Sequence, residues 1–233
     1  AGPTIMRPFA LNLKTHKKME GTSMPRIGDK APDFEALTTT GPLKFSDYIK
    51  GGWAILFSHP ADFTPVCTTE LSGFAQEKKW FAEHNTKLIG ESIDSIHSHV
   101  AWVQNVREKT GVYMDFPIIA DIDMKVANLY GMLHENASNT SAVRAVFFID
   151  PKGIIRLIMY YPLNVGRNMD EIKRVLEAMQ IADANPGTAM PLNWRKGDKV
   201  ILSPPRTLKD LDARLGEKNI ELVDFYLAKK ELA

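Results

Sequence analysis

The chain has a single cysteine, Cys67, at the end of His59-Pro60-Ala61-Asp62-Phe63-Thr64-Pro65-Val66-Cys67. One thiol can form no internal disulfide, CxxC redox pair or cysteine-based structural zinc site. It is either a structural thiol or a lone reactive one. An isolated cysteine is more often a small buried hydrophobe, but the flanking residues argue for reactivity. Thr64 suits a helix N-cap and Pro65 the first helical position, which puts Cys67 in the first turn. Amides there lack intrahelical acceptors and carry a partial positive field, which favours the thiolate over the thiol. The thiolate is the nucleophile. Thr64 lies within one turn of Cys67, so its hydroxyl can cap the helix, face the space in front of the sulfur, or do both. Pro60 and Pro65, each with a fixed φ, hold the turn rigid.

Such a turn needs a scaffold behind it. Trp53–Phe57 is a nearly continuous apolar run, as in a strand buried on both faces. A long helical stretch then runs from Pro65 to about His84, with Leu71, Phe74, Lys78 and Phe81 at helical spacing. Next come a strand over Lys87–Ile93 and a helix over Ile96–Lys109 introduced by Asp94 and Ser95. A strand over Ile118–Ala120 and a helix over Met124–Tyr130 follow. Arg144–Ile149 and Ile154–Tyr161 read as strands joined by the turn Asp150-Pro151-Lys152-Gly153. Asn168 caps a last helix reaching about Ile181. Short strands at Asp33–Leu37 and Leu43–Phe45, around Thr40-Gly41-Pro42, precede all of these. The alternation predicts an α/β fold whose mixed sheet is flanked by helices. Residues 186–233, with prolines at 186, 191, 204 and 205 and only short periodic segments, read as a small C-terminal appended domain. It is too short to bury a core alone and is expected to pack on its own domain or on a partner subunit.

Composition narrows the function classes. With 29 basic and 28 acidic residues, the net charge of +1 gives no footprint for nucleic acid or an anionic membrane surface. No apolar run approaches the roughly 20 residues of a membrane span, and no secretory signal pattern is visible. The chain is expected to be cytoplasmic. Residues 1–23 hold no acid before Glu20 and read as a flexible N-terminal extension or expression remnant, with organelle targeting left open. Residues 24–185 are then the catalytic domain.

Pro60-Ala-Asp-Phe-Thr-Pro-Val-Cys67-Thr-Thr-Glu70 resembles the active-site signature of peroxiredoxins, in particular the one-cysteine type related to peroxiredoxin six. The similarity continues through Leu88–Asp94, Phe116–Asp121, Val143–Phe147 and Tyr161–Asn168, and covers roughly residues 25–205 in order. It implies a thioredoxin-like fold and thiol-dependent reduction of hydrogen peroxide and organic hydroperoxides. By the same resemblance Cys67 is the peroxidatic nucleophile, Thr64 and Arg144 bind the peroxide oxygens, and Pro60 shields the site. Arg167 is a second positive group, His59 lies next to the sulfur, and Glu70 orients the arginines. Displacement at a peroxide oxygen moves charge from sulfur to the departing oxygen, so donors aimed along the O–O axis gain strength in the transition state. Arg144 supplies a planar fork of donors that lysine could not duplicate. Without the resemblance, Arg144 would read as a strand-end surface charge or a structural ion pair.

Attack on peroxide leaves a sulfenic acid. With no second cysteine it cannot be resolved within the chain or by an identical subunit. No cofactor is implied, but an external thiol is, either a small thiol such as glutathione or a thioredoxin- or glutaredoxin-like protein. A peroxide sensor or holdase chaperone using the same cysteine is the non-enzymatic alternative. The phospholipase activity described for some peroxiredoxin-six proteins is not expected, because Gly52, Ser46 and Lys152 stand at the serine, histidine and acid positions. His97 and His99 are two apart and do not share a helix face, so they read as solvent-facing rather than as metal ligands. If Ile154–Tyr161 ends the sheet, its open edge invites a second chain. The resemblance implies a homodimer there, with the C-terminal segment reaching the partner and with dimer and decamer as alternatives.

Overall fold

In the computed structural model, which describes residues 24–138 and 140–232, the apolar run Trp53–Phe57 becomes a central strand. The elements in order are β1 (Glu35–Thr38), β2 (Gly41–Lys44), α1 (Phe45–Tyr48), β3 (Trp53–Ser58), α2 (Pro65–Gln76), α3 (Lys78–Glu83), β4 (Thr86–Ser92), α4 (Ile96–Thr110), β5 (Ile118–Ala120), α5 (Lys125–Leu129), β6 (Arg144–Ile149), β7 (Ile155–Tyr161), α6 (Met169–Ala184), β8 (Thr188–Ala189), β9 (Val200–Leu202), α7 (Leu208–Leu215), β10 (Glu221–Asp224) and β11 (Leu227–Lys230). The main sheet has the order β2-β1-β5-β4-β3-β6-β7. β3 runs parallel to β4 and antiparallel to β6, so the sheet is mixed, as expected.

Alternation along β3 separates two cores. Trp53, Ile55 and Phe57 pack with Cys67, Leu71, Phe74, Trp102 and Leu176. Ala54 and Leu56 pack on the other face with Phe34, Phe45, Tyr130 and Phe147. Helices on both faces explain why all six residues of β3 are buried.

The hairpin β6–β7 forms where the turn signal lies. Asp150 Oδ1 accepts from the amides of Lys152 and Ile154, and Gly153 takes φ +77°, a conformation that favours glycine. β7 ends the sheet. Ser95 and Asn168 cap α4 and α6 through their side chains.

Several expectations need correction. The long helix after Cys67 is two helices, broken at Glu77, whose carboxylate pairs with Lys173 at 3.0 Å. Phe74 and Phe81 still pack across the break at 6.1 Å between ring centroids. Apolar periodicity therefore survives it, and the pattern alone reads as one helix. Phe45 begins α1 rather than ending a strand. Gly41 and Pro42 lie inside β2, where proline is tolerated because the strand forms a sheet edge.

The C-terminal residues form a separate antiparallel sheet, β10-β11-β9-β8. Trp194 is buried beside it and donates its indole N–H to the Asp198 carbonyl. None of α7 is buried, and Leu208, Val223 and Tyr226 are exposed. The reading of residues 1–23 as an extension lies outside the described residues. Among those described, no helix is long and apolar enough to cross a membrane.

Candidate active site

The strand–loop–helix unit from β3 to α2 places Cys67 in the first turn of α2, completely buried. Thr64 occupies the N-cap position with extended backbone (φ −108°, ψ 147°), but its hydroxyl caps no amide. It donates to the Ala61 carbonyl at 2.8 Å, which corrects the capping expectation and leaves its lone pairs free to accept. The Thr64 carbonyl accepts from both the amide and the hydroxyl of Thr68. Phe63, between the two prolines, takes φ +53°, an uncommon value for a bulky residue.

The register of β3 against β6, in which Phe57 opposes Val146, carries Arg144 to the C-terminal end of β3. Arg144 is 3% exposed, so it is no surface charge. Its Nη1 donates to Cys67 Sγ at 3.4 Å and to Glu70 Oε2 at 2.6 Å. Nε and Nη2 both donate to the Leu163 carbonyl, at 3.0 and 2.6 Å. The sequence offers no sign of that carbonyl's part, since any residue supplies one.

Glu70 lies one turn beyond Cys67 and bridges both arginines. Its Oε1 accepts from the Arg167 amide and Nε at 2.8 and 2.9 Å, and its Oε2 from Arg167 Nη2 at 2.8 Å. Arg167 is not the solvated loop residue its position suggests. Its Nη1 donates to the carbonyls of Ser58 and Ala145, and its guanidinium lies 5.3 Å from the Phe57 ring centroid. Burial pulls the Arg167 guanidinium down from its ordinary value, against the opposing pull of Glu70. Two guanidiniums against one carboxylate leave one positive charge over. An anion at Sγ balances it.

His59 is buried just beyond β3, and its hydrogen-bond partner is Asp62 (Nε2 to Oδ1, 2.9 Å) rather than the sulfur. Burial pushes the His59 imidazole down, against the opposing pull of Asp62. Asp62 also meets His99, Nδ1 to Oδ2 at 2.8 Å. His97 is exposed as expected, whereas His99 is fully buried, which corrects the solvent-facing reading. The missed signal was its spacing: His99, Trp102, Val103 and Val106 form the buried face of α4. Asp62, inside the motif, was also missed as a participant. His59, Asp62 and His99 bring three ligand atoms within 4.8 Å. Contacts of 2.8 and 2.9 Å between ring nitrogens and carboxylate oxygens are hydrogen bonds, however, and a tetrahedral ion at about 2.0 Å from each donor would have to push them apart.

A groove of about 370 Å³ beside the loop is lined by Thr64, Pro65, Thr68, Trp102 and Lys109 among others, but not by Cys67 or Arg144. At the hydrolase-like positions, a Cβ on Gly52 would lie 2.9 Å from the Asn85 carbonyl oxygen, so the backbone has no space for a serine there.

The AhpC/TSA family profile matches residues 27–158, and that of the C-terminal domain of 1-Cys peroxiredoxin matches residues 178–218. A peroxiredoxin of Aquifex aeolicus (strain VF5) is 50% identical over 224 residues, covering 92% of this chain and all of the relative. Peroxiredoxin 2 of Caldanaerobacter subterraneus subsp. tengcongensis is 52% identical over 212 residues, covering 90% and 94%. The structure of a yeast mitochondrial 1-Cys peroxiredoxin, described for thiol resolution via glutathione/thioredoxin systems, aligns with a TM-score of 0.79 at 42% identity, covering 90% of this chain and all of that one. A cysteine-to-serine mutant of peroxiredoxin 6 of Arenicola marina aligns with a TM-score of 0.80 at 34% identity, covering 90% and 99%.

Proposed function

The chain belongs to the AhpC/TSA family as a 1-Cys peroxiredoxin, a thiol-dependent peroxidase with a thioredoxin-like fold, and on that premise we propose how its residues divide the work. Cys67 is the nucleophile. Its thiolate attacks the hydroxyl oxygen of ROOH, forming an S–O bond as the O–O bond breaks, and the electron pair leaves on RO⁻. Protonation of RO⁻ gives water or an alcohol and leaves Cys67 as a sulfenic acid.

The observation that carries this reading is the Arg144 contact with Sγ, made by the same Nη1 that Glu70 holds. Arg144 donates to the peroxide as charge moves onto the departing oxygen. Thr64, whose own proton is committed to Ala61, accepts the peroxide O–H. Glu70 orients the arginines, Arg167 adds positive field, Pro60 shields the sulfur, and His59 stands beside the reacting atoms.

An outside thiol reduces the sulfenic acid in two steps, first forming a mixed disulfide with release of water, then exchanging it with a second thiol. Glutathione and a thioredoxin- or glutaredoxin-like protein are the two candidate sources; both the glutathione and the thioredoxin system are named for the yeast neighbour. We place the peroxidase domain at residues 24–185 and a dimerisation arm at 186–233. The second chain pairs along β7, as a dimer or within a decamer, and the protein works in the cytoplasm. Residues 28–31 pair with the start of β7 at Ile154 and Ile155; the rest of that sheet edge, from Arg156 to Tyr161, and the exposed apolar residues of the arm support that assembly.

Cys67→Ser should abolish peroxide consumption, and intact mass after peroxide without thiol should rise by oxygen on Cys67. Retained activity in that variant would overturn the assignment of the nucleophile. Steady-state consumption with glutathione or a thioredoxin system in turn identifies the reductant, and light scattering separates dimer from ring. A monomer at micromolar concentration would contradict the edge pairing.

A further inference from the structure

At the end of β4, on the sheet face away from Cys67, two buried carboxyls meet. By alternation along β4, Glu91 shares the face of Ile89, which packs with Val126 and Ala127 of α5. Glu91 is 0% exposed and Asp121 2%, and neither Glu91 oxygen has a hydrogen-bond partner among the described residues. Asp121 nevertheless lies within hydrogen-bonding reach of it. Two carboxylates offer each other no donor, so the contact becomes a bond only with a proton between them. The charged groups about Glu91 are Asp121 after β5, Asp94 after β4 and, on α5, the exposed Lys125; its neighbour on β3, Ser58, is uncharged. Burial pushes the Glu91 carboxyl well up, and Asp121 and Asp94 push it further. Burial also raises Asp121, but the amides of Val126 and Ala127 pull it back, so the proton belongs on Glu91.

Asp121 holds the start of α5. Its Oδ1 accepts from the Val126 amide at 2.9 Å and its Oδ2 from the Ala127 amide at 2.7 Å, while its carbonyl accepts from the Met124 amide. Met124, at the N-cap, takes φ +57°, an uncommon conformation for a residue other than glycine, and these contacts keep it there. A helix of five residues has little stability of its own. Beyond it, the Met132 amide donates to the Ala127 carbonyl, and the Met132 carbonyl accepts from the amide of Val143, the residue before Arg144. α5 thereby ties down the entry to β6.

We propose that one proton shared by Glu91 and Asp121 is the latch that keeps α5 on the sheet, and that its loss frees α5 together with the contact between Met132 and Val143. The proton passes to water, and two like charges are left facing each other in an apolar layer. Repulsion and solvation then favour an open form in which both carboxylates reach water. The sense is a loosening with rising pH. In the open form Glu91 returns to near 4.5, so opening releases one proton at any pH between that value and the raised value of the closed form. The opening constant therefore grows ~10-fold per pH unit across this window. None of this involves Cys67.

Hydrogen exchange of the full chain, corrected for the intrinsic pH dependence of amide exchange, reads the opening. The amides of Val126, Ala127 and Val143 should exchange faster than those of Ile55 and Leu56 in β3, with protection falling ~10-fold per pH unit from about pH 5 upward in the wild type. Glu91→Gln carries a permanent donor toward Asp121 and should leave that protection independent of pH. An infrared difference spectrum between wild type and Glu91→Gln should show, for the wild type at mildly acidic pH, the carbonyl band of a buried protonated acid. If Glu91→Gln does not fold, Glu91→Leu, which removes the titrating group from an apolar layer, takes its place in both measurements. Wild-type protection of these amides that does not change with pH, an equal change in the variant, or exchange only together with β3 overturns the proposal, as does a wild-type spectrum without the acid band.

Discussion

Two buried glutamates of the main domain meet opposite fates. Glu70 sits on α2 and accepts from two arginines and a backbone amide. Glu91, near the end of β4 and in register with Ser58, has neither oxygen partnered among the described residues. Burial pushes the Glu91 carboxyl well above its usual range, and nearby Asp121 adds to the effect. Asp121 in turn holds the first amides of α5, accepting from Val126 and Ala127. One site is thus a paired cluster with positive charge to spare, and the other a carboxyl without a cation beside a helix cap. Burial is common to both. Partner charge separates them: guanidiniums face Glu70, and another carboxyl, Asp121, faces Glu91.

The contrast predicts where substitution matters most. Glu70→Gln leaves two guanidiniums buried without their shared carboxylate and should destabilise the fold by about 3–5 kcal/mol. Urea unfolding measures this, and a midpoint near wild type would mean the arginines do not depend on Glu70. Arg144→Met removes the donor at the sulfur. It should slow the peroxide step by roughly 10²- to 10³-fold, read by stopped flow, and a rate near wild type would take Arg144 out of the site.

Glu91→Gln should do the least, and its effect should depend on pH. A carboxyl whose folded value is raised contributes stability that is present below its unfolded value, near 4.5, and is lost as pH rises through the folded value. The variant should therefore gain on wild type as pH increases, seen as a smaller fall in Tm between acidic and alkaline buffers. Asp62→Asn should behave in the opposite sense. The carboxylate's contribution is present above 3.8 and disappears as pH falls toward about 2, so the wild-type advantage should shrink on acidification. Parallel Tm-against-pH profiles for the two variants would erase the distinction between paired and unpaired carboxyls.

Much of the site was legible because it is local. Two prolines, Thr64 and Cys67 span eight residues, and their turn follows from fixed φ angles and helix-end preferences. The β6–β7 turn was legible for the same reason, since Asp150 bonds to amides two and four residues ahead of it. Sequence did not show that Thr64 donates to Ala61 instead of capping, because either conformation suits a threonine at that position. Nor did it show the break at Glu77, which leaves the apolar spacing intact.

The sequence by itself determined the reactive element, a lone thiol in the first turn of a helix, and with it the need for an outside thiol to close the cycle. It also determined the strand–helix alternation that the sheet follows. Only the tertiary structure decided the protein's electrostatics: that Arg144, 77 residues from Cys67, donates to its sulfur, that Arg167 is buried over Phe57, and that His99 lies under Asp62 rather than in solvent. The physical reason is range. Capping, turn and periodicity preferences act within a few residues, whereas a buried charge is stable only where strand pairing and helix packing deliver its partner from elsewhere in the chain.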